Sequence, residues 1–353
     1  MSAPLRVGFV GVGGMRIAYY HAREFAQDPR VRLVACCDIV QEALISFGAQ
    51  FSIPPAAQYA DFETMLQQEG LDIAVVCTNE TLHAEMAVLA ASHVSSAVVC
   101  EKPMAMCLRE ADAMLDACRE RGLRLIVGHQ RRYQELYAAA RDRLLAGEIG
   151  ELREIAASGH PRSHLMADGT HTVDLVRYFA GDPAALWVFG QIDTHTGRHA
   201  WGHAVEDAAL YRVGFETGVQ ARLTSGGGFA SEKCPLGSAL VGNYHHIALH
   251  GEAGRIDVYG DRTLEGQPPL QIARGAEREV VPIERGWRGG VSPQVHLLDC
   301  LESGETHPLN GENARAALEI LMAAYESSRI RRIVQLPLEN KENPFETILA
   351  GAP

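Results

Sequence analysis

From Leu5 to about Gly128 the chain alternates short apolar, β-branched runs with stretches whose apolar positions recur at helical spacing. The runs are Leu5–Val10, Val31–Cys37, Asp72–Cys77, Ala97–Cys100 and Leu123–Val127. Their near-continuous hydrophobicity predicts strands covered on both faces, the pattern of βα units around a parallel sheet. Between the last two runs, Leu108, Ala111, Leu115 and Cys118 fall on one helical stripe. After Gly128 the rhythm changes. Helices are predicted for Tyr133–Ala146, Gly169–Ala180, Ser292–Ser303 and Glu312–Arg331. Alternating segments at Ala208–Phe215, Val219–Thr224, His246–His250 and Arg255–Tyr259, separated by Gly and Asn, predict antiparallel strands. The chain therefore reads as an α/β domain over 1–128 and an α+β domain over 129–353.

Length and composition agree with two globular domains: 353 residues, 47% hydrophobic and 22% charged. A net charge of −12 argues against nucleic acid or anionic membrane as a partner, since both call for clustered positive charge. The clusters Arg131-Arg132 and Arg329–Arg332 are too short to reverse this. Eight cysteines, at 36, 37, 77, 100, 107, 118, 234 and 300, form no Cys-x-x-Cys pair. They read as buried free thiols in a reducing compartment. The N-terminus passes straight into a strand without a secretory h-region, and no apolar run is long enough for a bilayer, so a cytoplasmic protein is expected.

Chemistry enters with Gly11-Val12-Gly13-Gly14-Met15-Arg16, which follows the first strand and opens a helix. Gly11 permits a tight turn, Gly13 lets the backbone approach a pyrophosphate, and the loop through Gly14 and Met15 leads into a helix N-terminus that favours anions. Arg16 stands where the third glycine of Gly-x-Gly-x-x-Gly is usual. Asp38 ends the second strand 25 residues beyond Gly13, where a carboxylate can accept from adenosine ribose hydroxyls and repels a 2′-phosphate. The pair predicts a Rossmann domain that binds NAD in preference to NADP.

Three further motifs narrow the reading: Cys77-Thr78-Asn79-Glu80-Thr81-Leu82-His83, Ala97-Val98-Val99-Cys100-Glu101-Lys102-Pro103 and Val127-Gly128-His129-Gln130-Arg131-Arg132-Tyr133. Together they resemble the glucose-fructose oxidoreductase / inositol dehydrogenase / rhizopine catabolism (Gfo/Idh/MocA) family. The segment Asp168-Gly169-Thr170-His171-Thr172-Val173-Asp174-Leu175 is similar to that family's Asp-x-Gly-x-His-x-x-Asp-Leu helix, with its aspartate three rather than four residues before the histidine.

The resemblance implies that Lys102 contacts nicotinamide ribose and the reacting hydroxyl, and that His171 faces the reactive carbon as the base. An ammonium beside a developing carbonyl oxygen stabilises its charge, and an imidazole moves a proton in either direction. Asp168 has two readings, an assistant to His171 or a helix cap. Asp174 has two as well, substrate contact or a hydrogen bond to the rest of its domain. Thr78, Asn79, Glu101 and Gln130 are expected near the cofactor, and His83 either touches it or holds the loop. Arg131, Tyr133, Arg162 and His164 are expected at the substrate. His195, His199 and His203 stand four apart, but Gly197 and Gly202 interrupt any helix that could present them, so no metal is expected.

The resemblance also implies a large, mostly antiparallel open sheet in the second domain, buried in a homodimer or homotetramer. The leading function is NAD-dependent hydride transfer at a secondary hydroxyl or ketone of a sugar, cyclitol or related polyol. The alternatives are an NAD-retaining glycosidase or lyase that oxidises transiently, and a non-catalytic dinucleotide-binding regulator.

Overall fold

The structure, a computed structural model, describes residues 3–14, 16–160, 163–226, 246–260 and 267–351. Met15, Arg162 and Cys234 lie outside the described residues. The chain forms two compact units, Met1–His129 with Val291–Arg315, and Gln130–Gly290 with Ala316–Pro353.

In the first unit, strands β1 (Leu5–Val10), β2 (Val31–Cys37), β3 (Gln58–Tyr59), β4 (Ile73–Val76), β5 (Ala97–Cys100) and β6 (Arg124–Val127) form a six-stranded sheet in the order β3-β2-β1-β4-β5-β6. Every pairing in it is parallel. The connections carry helices α1 (Ile17–Phe25), α2 (Gln41–Phe51), α3 (Phe62–Glu69), α4 (His83–Ala91) and α5 (Leu108–Glu120). All four residues of β4 and of β5 are buried, as the continuous apolar runs predicted. The strand order reverses direction at β1 and β4, and in such sheets ligands bind at the carboxyl ends of the strands there.

The sequence division at 128/129 did not foresee that residues 291–315 pack with this unit. They do so because Leu309 and Asn310 extend the sheet edge: Val127 N–H donates to the Leu309 carbonyl at 2.9 Å and Ile126 bridges to Asn310. Gly311 seats against Leu115 and Leu125, where a β-carbon would lie 2.8 Å from either side chain.

In the second unit a nine-stranded sheet is built from β7 (Leu152–Ser158), β8 (Ala185–Asp193), β11 (Ala208–Phe215), β12 (Gln220–Gly226), β13 (His246–Gly251), β14 (Arg255–Val258), β15 (Leu270–Arg274), β16 (Glu277–Val281) and β17 (Val334–Gln335). Its order is β16-β15-β14-β13-β7-β12-β11-β8-β17, and β7 with β12 is its parallel pair. A separate small hairpin joins β9 (His199–Ala200) to β10 (His203–Ala204). Helices α6 (Glu135–Leu145), α7 (Thr170–Ala180), α8 (Pro293–Ser303), α9 (Gly311–Ile330) and α10 (Pro344–Leu349) complete the described chain, α8 belonging to the first unit.

One face of the large sheet is covered. Tyr211, Leu223, Ile155 and Ile247 are buried there, and Gly190 comes so close to α9 that a β-carbon would meet the Ala324 carbonyl at 2.6 Å. The opposite side carries the cross-strand row Phe189, Arg212, Arg222 and Ala156, of which Phe189 remains 47% exposed. Among the described residues no helix is long and apolar enough to cross a membrane.

Candidate active site

In the first unit the glycine turn is shaped by what it must avoid. Gly11 has φ +81°, and a β-carbon there would lie 2.6 Å from the backbone of Cys77 and Thr78. At Gly13 a β-carbon would meet Ala43 at 2.9 Å and the Asp38 carboxylate at 3.1 Å. Packing therefore excludes side chains at both positions, and the bare backbone that results suits the approach of a pyrophosphate. Arg16 adopts φ 60°, the left-handed conformation that explains why glycine is usual at this place, and its guanidinium lies 5.7 Å from the Tyr19 ring centre.

Asp38 serves the turn as well as any ligand: one carboxylate oxygen accepts the Gly13 amide at 2.7 Å and the other the Val40 amide at 2.9 Å. Ile39 beside it is 91% exposed, an apolar surface at the strand end that the sequence reading passed over.

Lys102, half-buried, follows β5 at the carboxyl edge of the same sheet. Two buried histidines brace its loop. His83 donates Nδ1–H to the Pro103 carbonyl at 2.7 Å and places Nε2 3.2 Å from the Thr78 carbonyl. Burial pushes its pKa down against the pull of these two carbonyls. His83 thus holds the loop, one of its two expected roles.

The second brace, His21 on α1, was missed by sequence reasoning. The Gln294 amide donates to its Nδ1 at 2.7 Å, which leaves Nε2–H to donate to Glu101 at 2.9 Å. The other Glu101 oxygen accepts the Lys102 amide at 3.2 Å. Burial would raise the Glu101 pKa, but the hydrogen bond from His21, the Lys102 charge and the Lys102 amide outweigh it and hold the carboxyl below its usual range. Gly128 has to be small, since a β-carbon would sit 2.6 Å from that carboxylate. Asn79 accepts the amide and hydroxyl of Thr81 and so caps the short turn before α4, while the Thr78 hydroxyl reaches the Asn79 carbonyl.

In the second unit His171 stands in the first turn of α7 and is 5% exposed. A π-helical turn, Leu165–Gly169, runs directly into this helix, and three amides, those of Ala167, Asp168 and Gly169, converge on the His164 carbonyl. Wide turns of this kind concentrate at functional sites. Asp168 consequently lies inside the helical run rather than ahead of it, which corrects the helix-cap reading. Its carboxylate accepts the His160 amide at 3.0 Å and ties the end of β7 to the helix.

Asp174 resolves in favour of internal bonding. Both its oxygens pair with the buried Arg132 guanidinium, at 2.8 and 2.7 Å, and Arg132 reaches on to Asp182 at 2.7 Å. Burial opposes the Arg132 charge, yet the two carboxylates more than restore it. Arg131 and Tyr133 flank it in the turn Gln130–Tyr133, and the buried Gln130 Oε1 has no hydrogen-bond partner among the described residues. His164 is 2% exposed, with the Trp201 ring 5.1 Å and the His203 ring 6.2 Å away.

Glu206 is another residue that sequence reasoning missed. Fully buried, it accepts the Leu165 amide at 2.5 Å and the Tyr325 hydroxyl at 2.8 Å, and so fixes the start of the π-turn. Burial pushes its pKa up. A lone acidic residue in a strand-to-strand connection carries no sequence signal of this task. His195, His199 and His203 are not gathered; the exposed His195 instead meets Asp193 and the largely buried Asp207, with ligand atoms within 4.8 Å of one another.

Comparison with known proteins divides the chain near the end of β6. Residues 5–129 match the family described as an oxidoreductase family with NAD-binding Rossmann fold, and residues 156–336 match its C-terminal alpha/beta domain. A D-apiose dehydrogenase of Paraburkholderia graminis is 28% identical over 335 residues, 89% of this chain and 86% of that protein. The scyllo-inositol 2-dehydrogenase (NAD(+)) of Bacillus subtilis is 25% identical over 96% of this chain and 98% of its own length. Among solved structures, the aldose-aldose oxidoreductase from Caulobacter crescentus complexed with glycerol superposes with a TM-score of 0.78 at 22% identity, covering 94% of this chain and all of that one.

Proposed function

The chain belongs to the Gfo/Idh/MocA oxidoreductase family, and on that premise we propose that it is an NAD-dependent dehydrogenase acting on a secondary hydroxyl of a ring polyol, a sugar or cyclitol. The observation that carries the reading is the braced Glu101-Lys102-Pro103 loop at the carboxyl edge of the sheet whose first strand ends in the glycine cradle. D-apiose and inositol dehydrogenases among the relatives support the substrate class.

Gly11, Gly13 and Gly14 hold the pyrophosphate, Asp38 accepts from the adenosine ribose, Ile39 covers the adenine, and Thr78, Asn79 and Gln130 line the nicotinamide end. Asp38 favours NAD over NADP. When bound, nicotinamide supplies the hydride acceptor or donor. Lys102 contacts the reacting oxygen and stabilises its charge as the carbonyl develops. His171 takes the hydroxyl proton, and returns it in reduction. Glu101 acts by holding the Lys102 backbone, and Asp168 by keeping His171 in register with β7. Arg131, Tyr133 and His164 shape the substrate side.

The half-exposed row on the large sheet supports a homo-oligomer, and the seven buried free thiols among the described residues fit a reducing, cytoplasmic setting. Purified protein mixed with NAD⁺ and a panel of cyclitols, pyranoses and acyclic polyols should accumulate NADH in step with polyol consumed. Net NADH also separates this chemistry from elimination that retains its cofactor. No change with any member, nor with NADH and the matching ketones, refutes the proposal.

A further inference from the structure

Residues 291–315 rejoin the first unit late in the sequence, and they carry a buried chain of hydrogen bonds that ends at Lys102. It starts at the sheet edge, where Val127 N–H donates to the Leu309 carbonyl at 2.9 Å. The Leu309 amide donates to His307 Nδ1 at 3.1 Å, which leaves His307 Nε2–H for the Pro293 carbonyl at 3.1 Å. Burial, with the neighbouring His296, lowers the His307 pKa to about 4, so at physiological pH the ring is neutral and keeps this arrangement.

Pro293 and the buried Gln294 open α8, which meets α1. Gln294 Oε1 accepts the Tyr20 hydroxyl at 3.5 Å, and the amide nitrogen donates to His21 Nδ1 at 2.7 Å. A neutral imidazole has one N–H, and a donor facing Nδ1 leaves it on Nε2, where Glu101 accepts it at 2.9 Å. The second Glu101 oxygen accepts the Lys102 amide at 3.2 Å. An acceptor at position 294 would select the opposite tautomer and turn a lone pair toward the carboxylate. Packing of α1 against α8 asks only for a side chain of this size, which leucine would supply without burying an amide.

We propose that Gln294 is a positioning residue: it fixes the tautomer of His21, which orients the Glu101 carboxylate, which sets the backbone at Lys102. The inference rests on the proposed role of Lys102 in the reaction and adds to it a residue from the far part of the chain. Besides His21 and Lys102, the ionisable groups that feel the Glu101 charge are Tyr20, which also feels Glu24, and Cys77, His83 and Cys100. Burial, reinforced by that charge, pushes the phenol and both thiols up, whereas burial pushes His83 down. Wild type carries all of these groups, so a pH effect confined to a variant at position 294 belongs to His21 and its new neighbour.

The test compares wild type, Gln294→Leu and Gln294→Glu with a ring polyol that the wild type oxidises. It measures kcat and KM from about pH 5 to 8, NADH affinity by calorimetry, and ¹⁵N spectra of the imidazoles in the ligand-free protein, with the His21 signals assigned by their loss in His21→Gln. Wild type should show His21 as the Nε2–H tautomer. Gln294→Leu should lower kcat roughly ten-fold, the effect of one hydrogen bond, with KM and NADH affinity retained. Gln294→Glu keeps Nε2–H on Glu101 only while the ring carries both protons. Its kcat should therefore hold at the acid end and fall as pH rises, a limb that wild type lacks. Unchanged kcat in a folded Leu variant, no added limb in the Glu variant, or the Nδ1–H tautomer in wild type overturns the positioning role and leaves the polyol reading intact. If the Leu variant does not fold, the limb and the tautomer decide. Absence of turnover and of polyol binding in wild type overturns both.

Discussion

The two regions that carry Lys102 and His171 solve the same problem, holding one polar group in a buried setting, by opposite means. Around Lys102 the supports come from the ends of neighbouring parallel strands and from His21 on α1, and the histidine braces act largely on backbone carbonyls and one carboxylate. Around His171 the supports come from far along the chain: Glu206 and Tyr325 fix the π-turn, and Arg132 clamps the body of the helix through Asp174. The first arrangement follows from strand order. The second depends on tertiary contacts between side chains, and a single buried charge pair carries more of it.

The largest effect sharpens the comparison at its two poles. Lys102→Ala and His171→Ala should each lower kcat by roughly 10² to 10⁴, the range for a positioned proton-transfer group, with NADH affinity by calorimetry almost unchanged. Similar losses of NADH affinity and kcat would instead mark either residue as a binding group.

Next in size is the clamp. Arg132→Met strands Asp174 in a buried site, so unfolding by urea should show a loss of about 3–5 kcal/mol. Small change there would mean that the second region does not lean on this pair.

What could be read from the sequence divides by separation along the chain, in both regions. β1, β2 and β5 appear with the boundaries their apolar runs predicted, and so does β11. β8 was passed over because Trp187, Val188 and Phe189 put apolar residues on both faces and break the period of two, and the short edge pair β15–β16 because its sequence alternates weakly. Gly11, Gly13 and Asp38 were legible because their chemistry is local: a turn, a close approach, a strand end. His21, Gln294, Glu206 and Tyr325 were not, since 273 residues separate His21 from Gln294 and 119 separate Glu206 from Tyr325.

Asp38→Ser tests the local region with a smaller effect. Removing the carboxylate should weaken NAD by roughly ten-fold, about 1.5 kcal/mol for hydrogen bonds to a charged group, and should improve NADP relative to NAD. Unaltered NAD affinity by calorimetry would limit Asp38 to holding the Gly13 amide.

The smallest effect concerns Glu206. Burial raises its pKa in the folded chain above the ordinary value of about 4.3, so its contribution to stability is full below that value and declines as pH rises through the folded one. Glu206→Gln stays neutral throughout. It should melt near wild type at pH ~4.5 and above it at pH ~8, by on the order of 1 kcal/mol. A gap of the same size at both pH values would show that Glu206 does not change charge on unfolding.

The proposed function has Lys102 and His171 act on the same substrate carbon in one step, and a double-variant cycle tests that proposal. Groups that act as a unit are strongly non-additive. With a ring polyol that the wild type oxidises, kcat/KM of the Lys102→Ala, His171→Ala double variant should fall little below the worse single variant. Losses that multiply would contradict the account and place the two residues in separate steps.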